Sequence, residues 1–391
     1  MRVLMTTDTV GGVWSFTREL AAGLLAHGHH VALVSFGRMP SPSQRSWCDE
    51  TSVRFPAAFR YTPSDAPLEW MEDNANAYRG AAPLLLSVAH AFGADVLLTS
   101  QYCFGALPLA IPRVVVAHSD VLSWSEACGR APLPATPWLS RYVDLVGRGL
   151  DGASAVVAPT AWMLAALRAN FRVPTASGVI PNGRTLEHSQ RKPPRKLQAV
   201  AAGRFWDTAK NLRLLEDLAA PMPILAAGEG PTDHPHPSAH TSAHSAGTLR
   251  LLGQLSEPDL LHLFRESSVV LCTSLYEPFG LAPLEAALCG CAVAANDIPS
   301  LREVWGDGAV YFSGAASLGR VLREIADPQH LRDARTRSLH RAQTFTRRRM
   351  AESYLALFVR LIAQPSLAAS SSVAGSSVAS NSVVRSSVHA A

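Results

Sequence analysis

Two basic residues stand where an anionic ligand would need them. In the segment Ala202-Gly203-Arg204-Phe205-Trp206-Asp207-Thr208-Ala209-Lys210-Asn211-Leu212, a loop leaves an apolar run and enters a helical pattern. Arg204, a planar fork, and Lys210, a point charge, can converge across such a loop on one diphosphate. The choice of lysine is informative. Of 35 basic residues, only Lys192, Lys196 and Lys210 are lysines, so a merely exposed cation at this position would be expected as Arg. The plainer alternative is a solvated pair at a helix start.

The second element is Ser274-Leu275-Tyr276-Glu277-Pro278-Phe279-Gly280-Leu281-Ala282-Pro283-Leu284-Glu285-Ala286-Ala287. Gly280 lets the backbone approach a ligand, and a helix starting near Leu281 would aim free N–H groups and a positive dipole end at it. Glu277 precedes that helix and Glu285 lies about one turn inside it. One carboxylate can reach the reacting end of a ligand, the other its far end, where ribose hydroxyls are good donors. Dipole stabilisation plus a surface Glu is the plainer reading, and it leaves the Glu-Pro-Phe-Gly turn unexplained.

These loops must be positioned by strands and helices. Short apolar runs alternate with longer helical patterns: Val3 to Met5, then Val13 to Ala26, then Val31 to Val34, a βαβ unit. The rhythm continues through Asp95 to Leu98, Val114 to Ala117 and Ala155 to Ala158, ending at Val179-Ile180-Pro181-Asn182-Gly183. A polar, proline-containing joint from Glu187 to Lys196 follows. A second α/β series has expected strands at Gln198 to Ala202, Pro223 to Ala227, Leu249 to Leu252, Val269 to Thr273, Ala292 to Ala295 and Ala309 to Phe312. Two α/β domains with parallel sheets are expected, their ligands held beyond the carboxyl ends of the strands. A last helical pattern, Arg348 to Ile362, could cross back to the first domain, and from Ser366 onward a Ser-, Ala- and Val-rich tail lacks the apolar surface to order itself.

Composition excludes several functions. With 48% hydrophobic and 17% charged residues and a net charge of +4, nucleic acid is not an expected partner. No run approaches the roughly 20 apolar residues that cross a bilayer, and Met1 to Ser35 reads as strand, helix, strand. A cytoplasmic protein is expected, soluble or at most peripheral on the inner face of the membrane. Cys48, Cys103, Cys128, Cys272, Cys289 and Cys291 read as buried reduced thiols. The histidines of segment 234–244 invite a metal, but two prolines and no helix to fix the ligands favour a polar surface loop. No metal site is assigned. Gly147, Gly149 and Gly152 form a Gly-x-Gly-x-x-Gly that precedes a strand instead of following one, which argues against a nicotinamide-dependent dehydrogenase.

The sequence resembles the GT-B glycosyltransferases of family 4, retaining enzymes, over nearly the whole chain apart from the tail. Glu277 to Glu285 matches the family's Glu-x7-Glu motif, and Gly203-Arg204 with Lys210-Asn211 its Gly-Arg and Lys-Asn pair. Gly11-Gly12, His118, Pro181-Asn182-Gly183 and Gly228-Glu229-Gly230-Pro231 match in order. Arg184-Thr185 departs from the family, which commonly has an apolar residue and Asp there, and Pro278 replaces a frequent Gly.

The resemblance implies two Rossmann-like doubly wound domains facing across a cleft, with the C-terminal helix crossing back. Residues 1–186 would bind acceptor, 187–196 link, 197–345 bind the nucleotide sugar, 346–365 form the returning helix, and 366–391 be a disordered low-complexity tail. It implies transfer of a hexosyl unit from a UDP-, GDP- or ADP-sugar to an unidentified hydroxyl acceptor, in cell-envelope polysaccharide, glycolipid or other glycoconjugate synthesis. No cofactor or obligatory metal is implied, and no Asp-x-Asp is present. Arg204 and Lys210 would neutralise the leaving diphosphate, capped by the Phe279, Gly280 and Leu281 amides. Glu277 would hold hydroxyls of the transferred sugar and Glu285 the ribose. Gly11 and Gly12 would admit the phosphates, and Gly203 and Asn182 would complete the donor site. His118 would stand beside the sugar ring, although a histidine ending a strand is more often a satisfied core residue. The base would be read near Gly253 to Ser256. Acceptor identity would lie in Met39 to Arg79 and Ser119 to Arg148, whose Trp47, Trp70, Trp124 and Trp138 read as exposed aromatics that could stack on sugar or touch a bilayer, although core packing explains most such residues. A sugar-nucleotide epimerase of the same fold and a non-catalytic sugar-nucleotide-binding protein are the alternatives; the Glu-x7-Glu motif argues against the first and the intact basic pair against the second.

Overall fold

The computed structural model describes residues 1–186, 193–216, 218–230 and 249–364. Residues 187–192 of the expected linker, Pro231, the histidine-rich segment 234–244 and the tail 366–391 lie outside the described residues.

The first domain runs β1 (Arg2–Asp8), α1 (Gly12–Ala26), β2 (His30–Phe36), α2 (Pro42–Arg54), β3 (Phe59–Pro63), α3 (Ala77–Phe92) and β4 (Val96–Thr99). It continues with β5 (Arg113–Val116), α4 (Val121–Ala127), α5 (Pro137–Gly152), β6 (Ala155–Ala158), α6 (Ala161–Asn170) and β7 (Ser177–Val179). The strands pair in parallel in the order β3-β2-β1-β4-β5-β6-β7, so the winding reverses between β1 and β4. Strands such as β4 and β6 are buried along their whole length, which is why they read as unbroken apolar runs.

The second domain comprises β8 (Lys196–Ala202), α7 (Arg213–Glu216), β9 (Ile224–Ala227), β10 (Leu249–Gly253), α8 (Glu257–Glu266), β11 (Ser267–Cys272) and α9 (Leu281–Leu288). Then come β12 (Ala292–Asn296), α10 (Pro299–Trp305), β13 (Ala309–Phe312), α11 (Gly314–Ile325) and α12 (Pro328–Ala342). This sheet is also parallel, ordered β10-β9-β8-β11-β12-β13. The last helix, α13 (Arg347–Ala363), returns to the first domain. Its Met350, Ala351, Tyr354, Phe358 and Leu361 share a core with Phe16, Leu20 and Leu24 of α1. The helices meet closely at Gly23, where a Cβ would stand 2.7 Å from that of Ala351.

The sheets meet at their carboxyl ends. Thr160, beyond β6, donates its hydroxyl to the carbonyl of Pro278, beyond β11 (3.0 Å). Tyr276, also beyond β11, is buried against the first domain, its hydroxyl accepting from the Asp120 amide (3.2 Å), pairing with Ser123 Oγ (2.9 Å) and donating to Met163 Sδ (3.4 Å). Glu303 of α10 accepts the first two amides of α6, at 2.6 and 2.9 Å, and so caps a helix of the other domain.

Several expectations need correction. The run expected to end at Gly183 leaves the sheet after Val179, the Ile180 amide still donating to the Ala158 carbonyl of β6 (3.0 Å). The segment from Met39 to Arg79 holds α2 and β3, and only its Trp70 is exposed among the four tryptophans singled out (37%). Trp47 lies edge-on to Trp14 and Phe59, Trp124 Nε1 donates to Asp207 across the cleft (3.0 Å), and Trp138 stacks on Tyr142. Gly149 belongs to α5 and gives close passage to a neighbouring turn, for a Cβ there would stand 1.9 Å from the Tyr102 carbonyl oxygen. All six cysteines are unpaired; Cys128 and Cys289 are half-buried rather than buried. Among the described residues, no helix is long and apolar enough to cross a membrane.

Candidate active site

Beyond β8, a short turn of 3-10 helix, Thr208–Lys210, is capped by Asp207, whose side chain accepts the Ala209 amide (2.9 Å). Asn211 closes the turn at φ +51°, a left-handed conformation that Asn tolerates better than most residues. Thr273 Oγ1 donates to the Lys210 carbonyl (2.6 Å) and the Leu275 amide to that of Ala209 (2.8 Å), so the turn is pinned to the end of β11. Lys210 Nζ thereby comes 2.6 Å from Glu277 Oε2, with side chains 19% and 15% exposed. Ser274 Oγ donates to the same carboxylate oxygen at 3.3 Å. Burial works against the Lys210 charge, but Glu277 outweighs it and the net pKa is raised. The ammonium is therefore a permanent charge. Gly203 lies flat against it, with a Cβ position 3.4 Å from Lys210 Cδ.

Gly280 starts α9 in the left-handed region, φ +91°, and Phe279 is anchored edge-on to Phe345 (5.3 Å). The amides of Phe279, Gly280, Leu281 and Ala282 find no acceptor among the described residues. Together with the helix dipole they make a ready anion site. The first domain closes on it from across the cleft. A Cβ at Gly11 (φ +72°) would stand 3.0 Å from Arg204 Nη1, and one at Gly12 3.6 Å from Leu281 Cδ1. The Arg204 guanidinium also sits 5.3 Å from the Trp206 ring centre, whose indole N–H is held by Glu229 (3.1 Å).

His118, beyond β5, is half-buried, edge-on to Phe16 at 4.6 Å, with Nε2 3.2 Å from Ser100 Oγ. Burial pulls its pKa down to about 3, so the imidazole is neutral.

Asn182 and Glu285 are both buried, each among partners from the other domain. Asn182 is buried beside Gly183, whose Cβ position is 2.2 Å from the Thr346 carbonyl oxygen at the start of α13. Glu285 already has a cation: Arg184 Nε stands 2.9 Å from its Oε1, outside the geometry of a directed hydrogen bond. The other two Arg184 nitrogens donate to Glu19 of α1 and Glu257 of α8. Glu257 is in turn gripped by both terminal nitrogens of Arg18, and Glu19 by Arg347 (2.7 Å). Burial raises the Glu285 pKa and Arg184 lowers it, with a net rise. For Glu257, burial is overcome by Arg18 and Arg184, which pull it to about 2.

Sequence reasoning overlooked Asp8. It ends β1, is 6% exposed, and accepts the Val10 amide at Oδ1 (2.9 Å). Burial pushes its carboxyl up to about 7, against the pull of Arg204. An Asp closing an apolar strand just ahead of Gly11-Gly12 was the available signal. Tyr276 was also missed, its partners being far away in sequence.

Two parallel α/β domains meeting at their carboxyl edges, with fixed cations and open amides at the seam, define the class: a GT-B glycosyltransferase. Residues 10–188 match the model described as Glycosyltransferase Family 4 and residues 196–337 the model Glycosyl transferases group 1, so the chain joins one domain of each kind. Among curated proteins it is similar to the serotype-specific mannosyltransferase WbdA of Escherichia coli, 31% identical over 121 residues. That match takes in 30% of this chain and 15% of WbdA. Among solved structures, the sucrose-phosphate synthase of Thermosynechococcus elongatus superposes with a TM-score of 0.72 at 17% identity, over 93% of this chain and 99% of that one. Anabaena HepE, solved with UDP and glucose, gives 0.68 at 16% identity, over 92% and 99%. At these identities the structures speak for the fold.

Proposed function

We propose that the protein moves a hexosyl unit, with retention of configuration, from a nucleoside-diphosphate sugar to a hydroxyl acceptor in polysaccharide or other glycoconjugate synthesis. The observation that carries this reading is the Lys210–Glu277 pair beside the open amide end of α9, faced by the Gly11-Gly12 turn. A nucleotide-sugar donor is supported by the solved HepE complexes with UDP and glucose and with UDP-glucose, and polysaccharide synthesis by the likeness to an O-antigen chain mannosyltransferase.

In this reading the acceptor oxygen attacks the anomeric carbon on the face from which the diphosphate departs. The bond from that carbon to phosphate oxygen breaks, the new glycosidic bond forms, and the departing oxygen takes the acceptor's proton. Arg204, Lys210 and the α9 amides hold the charge that develops on the leaving group. Glu277, kept in place by Lys210 and Ser274, accepts sugar hydroxyls. A neutral His118 orients the ring without placing positive charge against an oxocarbenium-like centre.

A thermal-shift panel of UDP-, GDP- and ADP-sugars on wild type and Lys210→Ala tests the donor site. A specific ligand at a hundred times its dissociation constant adds about 2.7 kcal/mol, several degrees in Tm, and the gain should shrink in the variant. If none of the sugars stabilises the wild type, the assignment fails.

A further inference from the structure

We propose that Arg184 is a positioning residue for the donor: it aims Glu285 and keeps it ionised, and so sets how the ribose of the donor nucleotide is held. The inference rests on the donor-site reading above and adds to it a residue that stands where an apolar one is common.

Arg184 is 5% exposed and reaches three carboxylates from three different helices, α1, α8 and α9. Two of its nitrogens are consumed by hydrogen bonds to Glu19 and Glu257. The third, Nε, faces Glu285 at 2.9 Å without a directed bond and has no other partner. Glu285 thus feels a full positive charge while both of its oxygens keep their capacity to accept from hydroxyls. Its side chain is 11% exposed and has no hydrogen-bond donor among the described residues. A carboxylate so placed would take up a proton without a cation, and the neutral acid could no longer accept from two vicinal hydroxyls.

The surrounding charges single out Arg184. Arg18, Arg184 and Arg347 balance Glu19, Glu257 and Glu285. Arg18 is committed to Glu257, and Arg347 to Glu19. Remove Arg184, and Glu285 is the carboxylate without a partner. The groups facing it are then Arg18 and Glu19 from α1, Glu257 from α8 and, one turn along α9, Cys289, whose thiol burial pushes up to about 11. None is a free cation.

The test is calorimetric binding of UDP-glucose, GDP-mannose and ADP-glucose between about pH 6 and pH 9, where their diphosphates do not titrate. For whichever sugar binds, wild type should show a flat profile. Arg184→Gln should approach wild-type affinity at the alkaline end and lose up to about tenfold per pH unit below the carboxyl's own pKa. Arg184→Lys should restore flatness, Glu285→Gln should bind weakly at every pH, and adding Arg184→Gln to Glu285→Gln should change nothing more. In turnover, Arg184→Gln should raise the donor KM and leave kcat nearly unchanged. A flat, wild-type profile for Arg184→Gln overturns the proposal while the donor site stands; no binding to wild type overturns both. If Arg184→Gln does not fold, Arg184→Met, which keeps a long buried side chain without its charge and leaves Arg18 on Glu257 and Arg347 on Glu19, carries the same expectation.

Discussion

Replacing Lys210 by Ala separates what the Lys210–Glu277 pair does for the fold from what it does for the reaction. The two groups stand 2.6 Å apart with side chains 19% and 15% exposed. Removing one partner of a buried pair costs about 3–5 kcal/mol, because the other charge is stranded. The remaining exposure places Lys210→Ala at the lower end, about 3 kcal/mol. In Lys210→Ala/Glu277→Gln no charge is stranded, and most of that stability should return. Catalysis should not follow. Losing one preorganised stabiliser of developing charge costs about 10²–10³ in kcat, and neutralising residue 277 supplies no replacement. Lys210→Arg should be near native in stability yet impaired in turnover, since the Lys chain lies against Gly203 with 3.4 Å between Cδ and the Cβ position, too close for a planar fork. The assays are urea unfolding and release of nucleoside diphosphate at saturating donor. A kcat for Lys210→Ala within about threefold of wild type, or its recovery in the double variant, would refute the reasoning.

Two further outcomes follow from buried polar groups. Asp8 titrates at about 7 in the folded protein and near 3.9 unfolded, so the native state holds the extra proton in between. Its contribution to stability is full below the unfolded value and is lost as pH rises toward 7; Asp8→Asn should remove that slope from urea melts, and an unchanged slope would rule Asp8 out as its source. Tyr276→Phe strands the Asp120 amide and removes the contact with Ser123; it should cost about 1–3 kcal/mol in urea unfolding, and a cost under about 0.5 kcal/mol would mean that the hydroxyl is dispensable at this interface.

Legibility in the sequence followed the range of the interactions. Both parallel sheets could be read because doubly covered strands such as Ala155–Ala158 are continuous apolar runs. The edge strand Phe59–Pro63 could not, being mostly part-exposed and carrying Arg and Thr among its residues. Lys210 stood out through the chain's own preference for Arg, and the structure adds what pins it, the bonds from Thr273 and Leu275. Arg184 was visible only as a departure from pattern, because Glu19 and Glu257 lie 165 and 73 residues away in sequence. The tryptophans misled for a related reason: whether an indole faces water or a ring of another element is decided by tertiary packing that no local pattern records.

The crossing and recrossing of the chain between the two sheets has a mechanical consequence. The passage leaving β7 and the passage entering α13 lie side by side, with the Arg184 amide donating to the Phe345 carbonyl (3.0 Å) and the Gly183 amide to Met350 Sδ (3.2 Å). They are two knuckles on one pin. Swinging about that pin leaves the knuckles seated, whereas sliding or twisting one lobe against the other must tear them apart. The missing side chain at Gly183, where a Cβ would stand 2.2 Å from the Thr346 oxygen, is what lets the knuckles seat. A methyl group there would misalign the jaws without touching Lys210 or Glu277.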